Sequence, residues 1–389
     1  MGNRESTTPI RVAVVGAGAF GRNHLRVYSS LPPAEVQLVA CVDPYPAARD
    51  AVADQYAIPV FDSVGSLLAS GIPVDAASVC TPTTHHAAAA IELLQAGVDV
   101  LIEKPIAASL DEADAILAAS ARHGRVVQVG HLERFNPAVT AAMPLRNQPM
   151  FFESHRLSVF TPRSLDVDVV LDLMIHDLDV VLSLVASPVR EVRAVGLPVL
   201  SQKTDIANVR VEFESGAVAN FTASRISTER VRKLRFFQPH QYLSLDYARQ
   251  DVLMIDVTAA ASLTPAQMAA LFAASGSGSM DESHTAAEVE AHLQSLKSGG
   301  GSMASDLAAR SGLPAEGEPQ AHPSQGLSLR KVPTEPGEPL RLEIESFLQA
   351  VRNRNQPIVS GEDGRAALAL ALEINRAIAE HAARAGLVK

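Results

Sequence analysis

The chain has 389 residues, 47% of them hydrophobic and 20% charged, with a formal net charge of -10. That length exceeds one typical core and predicts about two domains, while the acidic balance opposes non-specific attachment to nucleic acid. No apolar stretch reaches the roughly 20 residues of a membrane span, and MGNRESTTPI lacks the apolar core of a signal peptide. Cys41 and Cys80 close buried runs as small hydrophobes, so neither a disulfide nor a metal site is expected and the cytoplasm fits.

The first predicted element, Ile10 to Gly16 (IRVAVVG), is a β-branched run without alternation, the pattern of a strand buried on both faces of a parallel sheet. Gly16-Ala17-Gly18-Ala19-Phe20-Gly21 follows as a complete GxGxxG ahead of the helical stretch Arg22 to Ser30. Gly16 suits a tight turn, Gly18 lets a pyrophosphate approach the backbone, and Gly21 lets the helix lie close to the sheet. The helix start, with Ala19 and Phe20, offers free N–H groups and a positive dipole end to that phosphate. Val36 to Asp43 (VQLVACVD) ends in an acid 22 residues after Gly21. A carboxylate there meets the adenosine ribose hydroxyls and repels a 2′-phosphate, so the expected cofactor is NAD.

Helices at 51–56, 64–70, 86–96 and 110–123 then alternate with strands at 60–61, 76–80, 98–102 and 126–129, which predicts a doubly wound parallel sheet. Ligands of such sheets bind at the C-terminal strand ends. Those ends carry Asp43, Thr81, Pro82, Glu103, Lys104 and His131. Pro105 disfavours helical backbone at Lys104, so this lysine is presented from an extended segment, as either a solvated cation or a charge aimed at substrate.

Phe151 to Val159 reads as a strand with His155 and Arg156 near the crevice, and Val169 to Val185 (VVLDLMIHDLDVVLSLV) as a buried helix. Asp172, His176 and Asp179 fall at i, i+4 and i+7, one face of a regular helix, with Asp177 off that stripe. Buried charges persist when paired, so the stripe should look into a shared cavity; a core histidine satisfied by an acid is the plain alternative. Val189 to Val257 reads as successive strands of an antiparallel sheet. Within it Arg225, Arg230, Arg232, Lys233 and Arg235 form a basic stretch, either a charged strand edge or a phosphate contact. The Gly-, Ser- and Pro-rich residues 258–325 predict a low-complexity insertion that buries little. A strand at 327–332 and helices at 339–352 and 363–383 close the chain. The expected fold is α/β: a Rossmann domain over residues 1–127, then an α/β domain with a large, mostly antiparallel open sheet over 128–257 and 326–389.

The order GAGAFG, VD, VCTPTTHH, IEKP, VGHLERFNP and LDLMIHDLD resembles the glucose–fructose oxidoreductase/inositol dehydrogenase (Gfo/Idh/MocA) superfamily across nearly the whole chain outside 258–325. The resemblance implies NAD-dependent oxidation of a secondary hydroxyl of a sugar or cyclitol, and homo-oligomer contacts through the second sheet. It carries over Lys104 as the EKP lysine, Asp172 and His176 as the acid and histidine of the second-domain helix, and His86 as the TPxxxH histidine. In that scheme His176 is the base, Asp172 orients its imidazole, and Lys104 holds the reacting hydroxyl. Two departures stand out: His131 replaces a usual aromatic, and Asp166-Val167-Asp168 replaces usual glycines. RLSVFTPRSLDVDVVLDLMIHDLD and DIANVRVEFESGAVANFTASR resemble the branch that oxidises the 3-hydroxyl of UDP-N-acetylglucosamine in lipid A precursor formation. On that basis Arg163, Arg225 and Arg230 are expected diphosphate or uridine contacts, and Arg134 and His155 join Lys104, Asp172 and His176 as expected substrate contacts. A free cyclitol or sugar substrate, or an NAD-binding regulator without turnover, are the competing readings.

Overall fold

The structure, a computed structural model, describes residues 8–160, 167–257, 320–321 and 327–387. Strands β1 (Ile10–Val15), β2 (Val36–Val42), β3 (Val60–Phe61), β4 (Ala76–Val79), β5 (Asp99–Glu103) and β6 (Val127–Gly130) form one parallel sheet in the order β3-β2-β1-β4-β5-β6. Helices α1 (Ala19–Ser30), α2 (Pro46–Tyr56), α3 (Val64–Ala69), α4 (His86–Gln95) and α5 (Leu110–His123) alternate with the strands. Along β1, Val12 and Val14 enter one apolar cluster with Leu25 and Val27, whereas Ala13 and Val15 enter another with Leu93 and Ile116. Both faces of β1 are therefore dry, which is why its sequence shows no polar alternation.

Local chemistry sets the helix ends. Pro46 sits at the first turn of α2 and starts it earlier than the expected 51–56, since a missing N–H costs nothing there. Ser109 caps α5 by accepting from the Glu112 N–H, and Gly124, at φ +59, ends it.

A short helix, α6 (Pro137–Ala142), which the sequence pattern did not suggest, leads into β7 (Phe151–Val159). One π-helical turn, Val170–Met174, precedes α7 (Ile175–Val185). Strands β8 (Val189–Leu197), β9 (Ile206–Phe213), β10 (Val218–Ser227) and β11 (Val231–Gln238) join β7 in the order β11-β7-β10-β9-β8. Only β7 and β10 run parallel; the other pairs are antiparallel. Beyond them lie β12 (Gln241–Asp246) and β13 (Asp251–Val257).

Helices α8 (Pro339–Asn353) and α9 (Gly361–Arg384) close the chain. A capping box between Ser360 and Asp363 starts α9. A Cβ at Gly361 or Gly364 would meet Leu117 or Val129 at 2.5 Å, so the bare backbone lets α9 begin against β6. Farther along, the same helix packs on α7 and β8. One helix thus covers both sheets, and the described residues up to 239, with 244–252 and those from 334 onward, form a single compact unit. Residues 240–243 and 253–333 make a second unit, in which β14 (Gln320–Ala321) pairs antiparallel with β15 (Leu327–Val332). Apart from 320–321, the expected insertion lies outside the described residues. Among the described residues no helix is long and apolar enough to cross a membrane.

Candidate active site

Strand order reverses between β1 and β4, so the loops leaving these strands diverge and open a crevice. Gly16, at φ +97, makes the turn out of β1; a side chain there would strike the Cys80 carbonyl oxygen at 2.7 Å. At Gly21 a Cβ would lie 1.7 Å from the Gly16 carbonyl oxygen, whereas at Gly18 it would meet no atom within 4 Å. Two glycines thus serve the fold, and Gly18 leaves room for a ligand. Ala19 and Phe20 stand exposed at the first turn of α1. A cavity of 950 Å³ opens here, lined by Gly16, Gly18, Asp43, Thr81 and Pro82 of the expected set, by His85, the neighbour of the expected His86, and by Arg22 and Tyr45, which the motif does not single out. Asp43 is buried and accepts the Ala17 and Tyr45 N–H groups, one on each oxygen at 2.7 and 2.9 Å. Each oxygen keeps capacity for a ribose hydroxyl. The Arg49 guanidinium is engaged by the Asp43 and Pro44 carbonyls. The Thr81 hydroxyl is buried without a partner. An open glycine, a carboxylate at the end of β2 and an orphaned hydroxyl fit a dinucleotide of the NAD type.

His86 and Glu103 brace this crevice from behind. The two His86 ring nitrogens lie 2.9 Å from the Thr81 and Pro105 carbonyl oxygens, linking the ends of β4 and β5, and burial lowers the imidazole pKa. Glu103 turns inward, 2.8 Å from His24 Nε2, in a buried chain that continues through Ser78 to Tyr28. Both residues were expected to touch cofactor; in this fold their side chains bond to neighbouring strands and loops instead of lining the cavity.

Lys104 leaves β5 through a cis peptide bond to Pro105. Its Nζ donates to the Asp172 carbonyl oxygen at 2.8 Å and lies 3.7 Å from that residue's carboxylate. Burial lowers the lysine pKa, and Asp172 opposes the change. Asp172 lies within the π turn, and both its carbonyl and its carboxylate face the lysine. Among the described residues no hydrogen bond joins Asp172 to His176, so the expected orienting acid is instead the partner of the lysine. Asp179 has its own partner: it lies 3.4 Å from Arg134, and burial pushes its carboxyl up to about 7.

What faces His176 is a second imidazole. His131, at the end of β6, lies edge-on to it with ring centres 6.4 Å apart. Both His131 ring nitrogens and His176 Nδ1 are buried without partners. Burial, reinforced by Lys104 and Arg134, holds His131 down to about 3; burial, Lys104 and Arg156 hold His176 well below its ordinary value. Both rings are therefore neutral near pH 7, next to a cationic lysine.

Other expected contacts are committed elsewhere. Arg134 also donates to the Ile358 carbonyl at 3.1 Å. Arg225 donates to the Val167 and Thr204 carbonyls and lies 3.4 Å from Asp205, itself fully buried and held down to about 2 by the N–H groups of 199–201. Arg225 thus ties loops together. His155 points to the opposite face of β7 from Arg156, because successive strand side chains alternate. Arg163 lies outside the described residues.

Sequence reasoning undervalued Arg156. It binds Asp177 in fork geometry at 2.6 and 3.0 Å, reaches Glu133 at 3.1 Å, and lies 5.3 Å from the Tyr247 ring centre. This buried cluster fixes β7 to α7 directly behind His176. Its signal was the period-2 series Phe152, Ser154, Arg156, which competed with an equally apolar start at Phe151.

Comparison with known proteins agrees with this geometry. Residues 10–131 match the model of the GFO_IDH_MocA oxidoreductase family with an NAD-binding Rossmann fold, and residues 140–237 match the GFO/IDH/MocA C-terminal domain. The UDP-N-acetylglucosamine 3-dehydrogenase of Acidithiobacillus ferrooxidans is 38% identical over 239 residues, which are 61% of this chain and 74% of that protein. A structure of that dehydrogenase, GnnA, superposes with a TM-score of 0.75 at 30% identity, covering 96% of this chain and 98% of the other. The scyllo-inositol 2-dehydrogenase (NAD(+)) of Bacillus subtilis is 27% identical over 234 residues, 56% of this chain and 68% of that protein. The fold is also that of the WlbA dehydrogenase from Bordetella pertussis in complex with NADH and UDP-GlcNAcA: TM-score 0.68, 18% identity, 96% and 97% of the two chains.

Proposed function

This chain belongs to the GFO/IDH/MocA family of NAD-binding oxidoreductases, and from that premise we propose that it oxidises the 3-hydroxyl of UDP-N-acetylglucosamine to the 3-keto sugar. The observation that carries the reading is the meeting of Lys104 with two unpartnered neutral imidazoles, beside a crevice that fits NAD. Alcohol oxidation divides into loss of a hydroxyl proton and loss of a carbon-bound hydride. NAD, when bound, supplies the hydride-accepting nicotinamide.

His176, neutral in its buried setting, takes the hydroxyl proton. Lys104, fixed by the Asp172 carbonyl and carboxylate, donates to the same oxygen and stabilises the alkoxide charge that develops on it. Asp172 acts through the lysine. His131, fully buried with both ring nitrogens unpartnered, packs edge-on against His176 and keeps water from it. Cofactor contacts in this scheme come from Gly16 to Gly21, Asp43, Thr81 and Pro82, within a nucleotide domain ending near 127. The 3-keto product then serves a transamination in cytoplasmic lipid A precursor formation, and copies of the chain associate through the second sheet.

The test is incubation with NAD and, separately, UDP-N-acetylglucosamine, free N-acetylglucosamine or myo-inositol, with hydrazine present to trap ketone. NADH formation with the nucleotide sugar alone, and a trapped product whose parent ketone is about two mass units lighter than substrate, is the expected result. Turnover of inositol or the free sugar instead would discard the substrate while keeping the chemistry. NAD binding without any turnover would replace the enzyme by a regulator.

A further inference from the structure

A nucleotide sugar brings a diphosphate, and Arg225, the arginine first expected to meet it, already has a carboxylate in Asp205 and donates to two loop carbonyls. The basic stretch offers a different candidate. Arg232 stands directly opposite Arg156 in the antiparallel register of β11 and β7, so both side chains leave the same face of the sheet. Arg156 binds Asp177 of α7, which makes this the face that carries His176. Lys233 and Arg235 alternate to the other face, opposite His155 and Glu153.

The two arginines differ in what they hold. Arg156 takes both nearby carboxylates, Asp177 and Glu133, in direct bonds. Arg232 has no hydrogen bond or ion pair with any acceptor among the described residues, and its Nε is buried without a partner. Burial and the Arg156 charge lower its pKa, and its own charge reaches His176. The Glu133 and Asp177 carboxylates act on Arg232 only across space, since both are bonded to Arg156, so a half-buried guanidinium beside a second one has charge left to satisfy when an anion arrives with the ligand. A diphosphate suits it, because a guanidinium can engage two phosphate oxygens at once.

We propose that Arg232 is the residue that binds the substrate diphosphate, anchoring the nucleotide sugar while its hydroxyl lies at Lys104 and His176. This inference rests on the nucleotide-sugar reading above, and its test is chosen to separate the two. UDP carries the diphosphate without the reacting sugar, so its binding, measured by calorimetry, isolates the anion contact from turnover. Arg232→Gln is expected to weaken UDP at least about tenfold and to raise KM for UDP-N-acetylglucosamine similarly, with NAD affinity unchanged as proof of folding. Arg232→Lys should fall between, having charge without the fork. Arg225→Gln should bind UDP as the parent does.

Equal UDP affinity in Arg232→Gln and the parent protein overturns the inference, whatever the enzyme oxidises. UDP held through Arg232 without oxidation of UDP-N-acetylglucosamine supports the inference and overturns the substrate reading alone. A parent protein that binds no UDP overturns both.

Discussion

The glycine turn and the helix that carries His176 belong to one proposed reaction but are built in opposite ways. At the turn, the backbone does the work: Gly16, Gly18 and Gly21 lie within six consecutive residues, and each acts by lacking a side chain. Around His176, side chains do the work, and they arrive from β5, β6, β7 and α7. The first region is tolerant of what surrounds it and intolerant of added atoms. The second depends on charges meeting across the fold, where removing one partner strands another in a dry environment.

The sharpest break of that comparison is His176→Ala. Loss of a positioned base should lower kcat about 10²–10⁴-fold while the NAD dissociation constant stays put. A variant that loses NAD affinity in the same proportion would merge the two regions into one. Next, Arg156→Met leaves Asp177 and Glu133 buried without their cation. Urea unfolding should register a loss of about 3–5 kcal/mol, and a change below about 1 kcal/mol would remove the cluster from the account of the fold.

Third, the two outer classes of glycine should separate. Gly18→Ala meets open space in the protein, so it should fold normally and bind NAD about tenfold or more weakly. Gly21→Ala would drive a methyl to within 1.7 Å of a carbonyl oxygen and should yield little folded protein. Equal thermal stability of the two variants would contradict the division of roles.

The smallest expected effect is a slope. His131 binds its proton at about 3 in the folded chain and at 6.5 when unfolded. Between those values the unfolded chain holds more protons, so stability rises with pH, is complete above 6.5, and is lost as pH falls toward 3. His131→Phe should therefore reduce the dependence of unfolding free energy on pH by about 1.4 kcal/mol per pH unit near pH 5. Unchanged dependence, measured by urea titration across that range, would mean that His131 is not held neutral.

Much of the first sheet was legible because its information is local. A strand buried on both faces reads as an unbroken apolar run, and the glycine spacing and the acid at Asp43 mark chain positions that the structure places on one cavity. The second site was legible in its members and not in its pairings. Asp172 meets Lys104, and not His176 as the helical spacing suggests, because a contact between residues 68 apart cannot be read from a hydrophobic period of 3.6. Arg225 and Arg232 look alike in a basic stretch. Which one has a carboxylate waiting for it depends on Asp205, 20 residues before the first.

The sequence by itself therefore determined the cofactor half, because there the relevant geometry is the backbone's own and a few consecutive residues specify it. Tertiary structure alone decided which acid meets which base, which histidine faces which, and which arginine has no acceptor in direct contact among the described residues. Those are distances between side chains about 20 to 70 residues apart, and burial sets their consequence: His131 and His176 are neutral because water is excluded where they meet.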